Sequence, residues 1–292
     1  MKLLWFCAAG YSFFVGSGLI IIAIVLSAFH KKLWLNIVIY LLFINGLFLI
    51  FLSSTPLTFW FYIIWSIAII CWLYLVVQKT PRVLKHSIIL RIIAAFLSVT
   101  AMVTELRFQL TPNFPKEKFE KLYVIGDSVS AGIGGINEET WPKIICNEHE
   151  INIINLSESS ATVTSAMRQA NQVDSENAIV LLEIGGNDLF APTPYSKFEE
   201  DLERLIKKTS GPKRMVIMLE LPLQPWHIKY GRIQRKLAKQ HDIILIPKRF
   251  FVSILSTKDA TVDLAHLSPS GHKLMAEKVW NLLKNSLFAT EF

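Results

Sequence analysis

Four apolar runs in the first 106 residues restrict this chain more than any other feature: Leu3–Phe29, Leu33–Leu52, Leu57–Val77 and Ser87–Leu106. Each is close to the ~20 residues with which an α-helix crosses ~30 Å of hydrocarbon. Within lipid every backbone N–H and C=O must find its partner inside the chain, so such runs form helices rather than open strands. Residues 1–106 therefore read as an all-α transmembrane bundle of about four helices. A secretory signal peptide is the rival reading of the first run. That run is too long, no clean small-x-small cleavage site follows it, and further apolar runs come directly after. A lipoprotein reading of Cys7 fails because only six residues precede it.

Charge divides the chain at the same point. Of 30 Lys/Arg and 23 Asp/Glu, residues 1–106 hold seven bases and one acid, Glu105. The second half is nearly neutral and shows no nucleic-acid footprint. Five Lys/Arg lie in two short loops, His30–Lys32 and Gln78–His86, whereas Ser53–Pro56 carries none. Positive loops stay in the cytoplasm, which sets both termini and the C-terminal unit outside it. Arg107, Lys116, Lys118 and Lys121 argue the other way, but long translocated domains escape the rule. The expected location is an integral multi-pass protein of a bacterial inner membrane with a periplasmic C-terminal domain. Arg91, inside the last run, lies about one turn from a basic loop and reads as snorkelling to the interface. Trp34, Trp60 and Tyr74 read as interfacial anchors. Gly16 and Gly18 read as points of close helix approach. Cys146 is the only cysteine of the second half, so no internal disulfide forms there.

From about Lys116 the pattern becomes short β-rich runs alternating with amphipathic stretches. Residues 107–120 read as a linker and 121–292 as one domain. Strands are expected over 121–126, 151–156, 178–185, 214–221 and 242–247. Helices are expected over about 139–149, 161–173, 196–208, 227–240 and 270–287. Such alternation implies right-handed crossovers and an α/β three-layer domain with a parallel sheet. Ligands in such sheets bind beyond the carboxyl ends of the strands. "GDS" follows the first strand, "SESSAT" the second and "GGNDLF" the third, while "DLAH" precedes the last helix.

A serine hydroxyl is a poor nucleophile until a base takes its proton and a third group orients that base. Ser128 sits at the first strand-to-helix turn. His266 can be the base, and Asp263, three residues earlier, can meet its Nδ1–H. Asn187, after two glycines, offers a side-chain N–H to an oxyanion. Each piece alone has a plainer explanation. A Gly-Asp-Ser turn is more often a capped turn, and "GGND" or a histidine before "LSPSG" can be ordinary loop. Their joint order at the strand ends of one sheet favours the chemical reading.

The segment from about Lys121 to Leu287 resembles the SGNH hydrolases, or GDSL-type esterases. It is most similar to the subgroup of the bacterial periplasmic thioesterase/lysophospholipase I, here fused to a membrane region. The four family blocks appear as "GDSVSAG", "NLSESSAT", "IGGND" and "DLAH". The resemblance implies Ser128 as nucleophile with Asp263 and His266 completing a triad. It also implies an oxyanion hole from the backbone N–H of Ser128, the second-block residue and Asn187. Alignment sets Ser160 where the family has glycine. A backbone donor survives that change, but the geometry does not if the site demands positive φ. The last block reads Asp-Leu-Ala-His where the subgroup commonly has Asp-Gly-Ile-His.

The expectation is a membrane-anchored serine esterase that cleaves acyl esters, lipid or cell-envelope glycan, through an acyl-serine intermediate at the bilayer. Two alternatives stand: an acyltransferase passing the acyl group to an envelope glycan with the same triad, and a binding module weakened by Ser160. No cofactor or metal is implied, since His149, His227, His241 and His272 lack metal-ligand spacing. Oligomeric state is not specified. Asp127 reads as a brace of the turn, Asp188 as structural, and Lys229–Gln240 as a basic helix face, solvated or near lipid headgroups.

Overall fold

The computed structural model describes residues 2–29, 33–77, 84–115, 117–134, 138–191, 193–263 and 265–287. The basic loop His30–Lys32 and residues 78–83 of the second loop lie outside these. The chain divides into two compact units, Met1–Leu110 with Leu223–Ile228, and Thr111–Pro222 with Lys229–Phe292.

The first apolar run is not one helix. Gly10 takes a left-handed conformation (φ 84°) that ends α1 (Lys2–Ala8) and opens α2 (Tyr11–Leu26), followed by a single 3₁₀ turn at Ser27–Phe29. Next come α3 (Leu33–Leu52), α4 (Phe59–Val77) and α5 (Leu84–Leu106). Among the described residues, three helices are long and apolar enough to cross a membrane: Tyr11–Phe29, Leu33–Leu52 and Ser87–Leu106. The expected count of four is thus corrected to three. The run from Leu57 starts its helix only at Phe59, after Pro56 and a turn in which Ser53 and Thr55 bond each other, and α4 is apolar along its whole length.

Packing inside this unit uses small residues. A Cβ on Gly16 would come within 2.6 Å of Gly46 O, and one on Gly46 within 2.8 Å of Gly16 O, so α2 and α3 touch backbone to backbone. Gly18 faces open space. Trp34, Trp60 and Tyr74 are exposed, whereas Trp65 and Trp72 are buried and donate to Ser98 Oγ (2.9 Å) and Ser27 Oγ (3.2 Å). Arg91 donates to Ser27 Oγ at 3.1 Å and Ser27 O at 3.0 Å. Its head therefore closes the end of the first span rather than simply reaching for water. Arg91, Ser98 and fully buried Glu105 recur every seven residues, about 10.5 Å per step, so α5 turns one polar stripe inward.

The second unit is a five-stranded parallel sheet in the order β2-β1-β3-β4-β5. Its strands are β1 (Lys121–Gly126), β2 (Ile153–Asn155), β3 (Ala178–Glu183), β4 (Arg214–Leu219) and β5 (Ile244–Ile246). β1 and β3 are central and buried along nearly their whole length, which explains their unbroken apolar sequence. The edge strands β2 and β5 are shorter than the apolar runs that encode them.

The crossover helices form two layers. One holds α7 (Trp141–His149), α12 (Lys248–Leu255) and α13 (Pro269–Leu283), which pack on one another. The other holds α8 (Ala166–Ala170), α10 (Tyr195–Thr209) and α11 (Ile228–Gln240). The basic face of α11 is partly neutralised there. Lys236 Nζ meets Glu199 at 2.5 Å, and Lys229 lies over the Tyr195 ring at 4.4 Å. Two further short helices, α6 (Ser128–Ala131) and α9 (Gly186–Phe190), follow β1 and β3 directly. The sequence reading had not separated these, nor α12, from loop.

Candidate active site

Every candidate residue lies beyond the carboxyl edge of this sheet. β1 ends at Gly126, and Asp127 caps α6 by accepting the Val129 N–H at 3.0 Å on Oδ1. Asp127 braces the turn through this bond, and Ser128 is the first helical residue, 8% exposed. The turn is tightly supported. Gln169 Oε1 accepts from Gly126 N and its Nε2 donates to Gly126 O, both at 3.0 Å. A Cβ on Gly126 would lie 2.9 Å from both Glu183 Oε2 and Ser157 Oγ, so only glycine fits.

The oxyanion candidates close round the same turn. Asn187 Nδ2 donates to Asp127 Oδ2 at 3.3 Å and to Ala161 O at 3.0 Å, joining the loops after β1, β2 and β3. Gly185, at φ 111°, supplies the backbone turn that brings Asn187 here. Ser160 has φ 61°, so the chain does take the left-handed conformation that glycine would favour. Ser160 is exposed, and its successor Ala161 is buried. Asp188 is fully buried and structural: it accepts Val163 N at 2.9 Å and Thr193 Oγ1 at 2.9 Å.

Asp263 and His266 meet as their spacing predicted. His266 Nδ1 lies 2.7 Å from Asp263 Oδ2, and Asp263 Oδ1 accepts the backbone N–H of Ala265 and His266, each at 2.7 Å. The His266 backbone bond, then the imidazole and the Ala265 bond, hold the Asp263 carboxyl down at about 2. A carboxylate on Nδ1 fixes the proton there and leaves Nε2 as the basic atom. Among the described residues no hydrogen bond joins Ser128 Oγ to His266. Such contacts are commonly loose without substrate. His266 does interact electrostatically with Asp127 beside Ser128.

Asp127 is itself unusual. Burial raises its carboxyl to about 6, Asp188 pushes the same way, and the Val129 N–H and the charge of His266 pull back. Sequence reasoning missed the group beneath it. Glu183, the last residue of β3, is 3% exposed, and its Oε2 accepts Ser130 Oγ at 2.8 Å. Ser130 Oγ in turn accepts Trp141 Nε1 at 3.2 Å. Burial first, then the Asp127 charge, pushes the Glu183 carboxyl well above its usual range. The available signal was an acid closing the apolar run "AIVLLE", where a buried charge needs a reason.

Three further histidines have partners elsewhere in the fold. His272 Nδ1 accepts Trp141 N at 3.2 Å, His149 stacks on Trp280 at 3.9 Å, and His241 lies 3.3 Å from Glu203.

Comparison with known proteins identifies the family. The profile of the GDSL-like Lipase/Acylhydrolase family matches residues 124–274, just over half of the chain. The chain belongs to that family. It is 29% identical over 177 residues to an arylesterase of Vibrio mimicus, covering 55% of this chain and 86% of the relative. It is 25% identical over 179 residues to the esterase TesA of Pseudomonas aeruginosa, covering 56% and 88%. Among solved structures, the psychrotrophic esterase EstA from Pseudoalteromonas sp. shares the fold at a TM-score of 0.51 and 23% identity, over 56% of this chain and 97% of that one. As a GDSL hydrolase, the chain is a serine hydrolase of ester bonds. Residues 1–123 lie outside the family match.

Proposed function

We propose that this chain is a membrane-anchored esterase in which Ser128 attacks the acyl carbonyl and His266 Nε2 takes its proton. Asp263 holds the imidazole through Nδ1–H and stabilises the imidazolium that forms. The tetrahedral oxyanion is received by the N–H groups of Ser128 and Ser160 and by Asn187 Nδ2. Asn187 releases its long 3.3 Å bond to Asp127 to do so and keeps the shorter one to Ala161. Collapse of the intermediate expels the alcohol, which takes the proton from His266 and leaves acyl-Ser128. Water, deprotonated by His266, then attacks the acyl carbon, and Ser128 leaves with that proton.

The observation that carries this reading is that Asn187 ties three separate segments together, beside an imidazole–carboxylate pair in the fourth. Asn187 bonds the first and second blocks, and His266 bonds Asp263. The left-handed φ of Ser160 supports an intact oxyanion loop over a weakened binding module. Three long apolar helices favour substrates presented at a bilayer, an acylated lipid or envelope glycan, over freely diffusing esters. The uneven basic loops favour an extracytoplasmic, periplasmic hydrolase domain.

The test uses full-length protein in micelles. Turnover of a p-nitrophenyl ester should be lost in both Ser128→Ala and His266→Ala. Turnover persisting in either variant contradicts the assignment.

A further inference from the structure

Glu183 is a buried acid that the reaction sketched above does not use, and its surroundings are specific. It pairs in register with Gly126, so its side chain rises directly beside the nucleophile turn. Its Oε2 accepts the Ser130 hydroxyl at 2.8 Å. Ser130 lies two residues beyond Ser128, in the same short helix α6. Ser130 is anchored from behind by Trp141 Nε1, and both are fully buried. Ser157 Oγ is buried on the same side of Gly126 and has no hydrogen-bond partner among the described residues. It offers an acceptor for an acid O–H.

We propose that Glu183 is the positioning residue of the nucleophile: its carboxyl, seated against Gly126, grips Ser130 Oγ and so fixes the turn that aims Ser128. The proposal rests on Ser128 being the nucleophile. The physical argument is charge crowding. Two carboxyls, Glu183 and Asp127, are buried side by side, and a buried pair of this kind holds one proton rather than carrying two charges. Asp127 has reasons to be the ionised member, since it receives the Val129 N–H and interacts with His266. Glu183 therefore keeps the proton. The charged or titratable groups acting on the pair are His266 and Asp188, both through Asp127. From α6, α7 and the loop after β2 the neighbours are Ser130, Trp141 and Ser157.

The sign of the pH effect follows. An acid whose folded value lies above its unfolded value stabilises the native turn at low pH, and this is lost as pH rises through the folded value. Ionising Glu183 sets a second charge against Asp127 and loosens the turn, so activity should fall on the alkaline side. The decisive experiment compares full-length wild type, Glu183→Gln and Glu183→Ala in micelles. It measures kcat and KM for a p-nitrophenyl ester across pH, and the rate of Ser128 labelling by a fluorophosphonate. Glu183→Gln, neutral and of the same shape, should keep kcat within about threefold at neutral pH and lose the alkaline fall. Glu183→Ala should lower kcat at least tenfold with KM within about threefold. Glu183→Gln crippled as severely as Glu183→Ala, or Glu183→Gln with the alkaline limb of the wild type, overturns the proposal. If Glu183→Ala does not fold, the Glu183→Gln profile decides alone. Loss of labelling in Ser128→Ala checks the nucleophile separately, so failure there is told apart from failure here.

Discussion

The two units treat polar groups in opposite ways. In the N-terminal unit the outward side chains are apolar, among them Ile37, Phe48, Phe51 and Phe96, and the inward polar groups form a sparse stripe. Arg91 meets Ser27, and Ser98 meets Trp65. In the C-terminal unit the outer helix faces are charged, and buried acids gather beneath one edge of the sheet as Asp127, Glu183 and Asp188. A surface facing hydrocarbon gains nothing from apolar burial, so helix contact there falls to small residues such as Gly16 and Gly46. A domain facing water is held by its core and can spend stability on a crowded, electrostatically costly site. The contrast teaches that the apolar helical unit is specified by close fit and the hydrolase unit by charge placement.

If this contrast holds, substitutions should separate cleanly. Asn187→Ala removes the proposed oxyanion donor and two interloop bonds, and kcat should fall about 10²–10³-fold in the p-nitrophenyl ester assay. Gly46→Leu should disrupt α2–α3 packing by roughly 2–3 kcal/mol, read as a loss of thermal stability or of yield in micelles. Hydrolysis of the small ester by the protein that does fold should stay within about twofold. A parallel loss of kcat would break the separation between the units.

Smaller effects sharpen it. The folded Asp127 value of about 6 lies above the unfolded ~3.9. Its stabilising contribution is therefore present at low pH and lost as pH rises through about 6. Relative to Asp127→Asn, wild-type Tm should fall by a few degrees between pH 5 and 7.5, measured in one detergent. A constant difference would refute the raised value. The smallest effect belongs to Ser160→Gly. Relief of the left-handed conformation, about 1 kcal/mol, is offset by greater unfolded-state freedom of about the same size. Tm should move by less than about 2 °C and kcat by less than about threefold. A large gain in kcat would mean that serine constrains the oxyanion loop.

Much of this was legible in the residues. Unbroken apolar strands at 121–126 and 178–183 and the Asp263/His266 spacing pointed directly at β1, β3 and the imidazole–carboxylate pair. The break at Gly10 was hidden because periodicity cannot register one left-handed residue inside an apolar run. The inward turn of Arg91 was hidden because it depends on Ser27 in the 3₁₀ turn after α2, a tertiary partner. Helices α6 and α9 escaped because four or five residues carry too little pattern. Glu183 was missed because an acid at a strand end reads as solvated until the sheet register sets it beside Gly126.

The central claim, that Ser128 is a nucleophile activated by His266, is tested most directly by mass-spectrometric mapping of a fluorophosphonate adduct on full-length protein in micelles. The account predicts one adduct, on Ser128. It should be absent in Ser128→Ala and form roughly 10³-fold more slowly, or worse, in His266→Ala. An adduct on another residue, or labelling at an undiminished rate in His266→Ala, would contradict it.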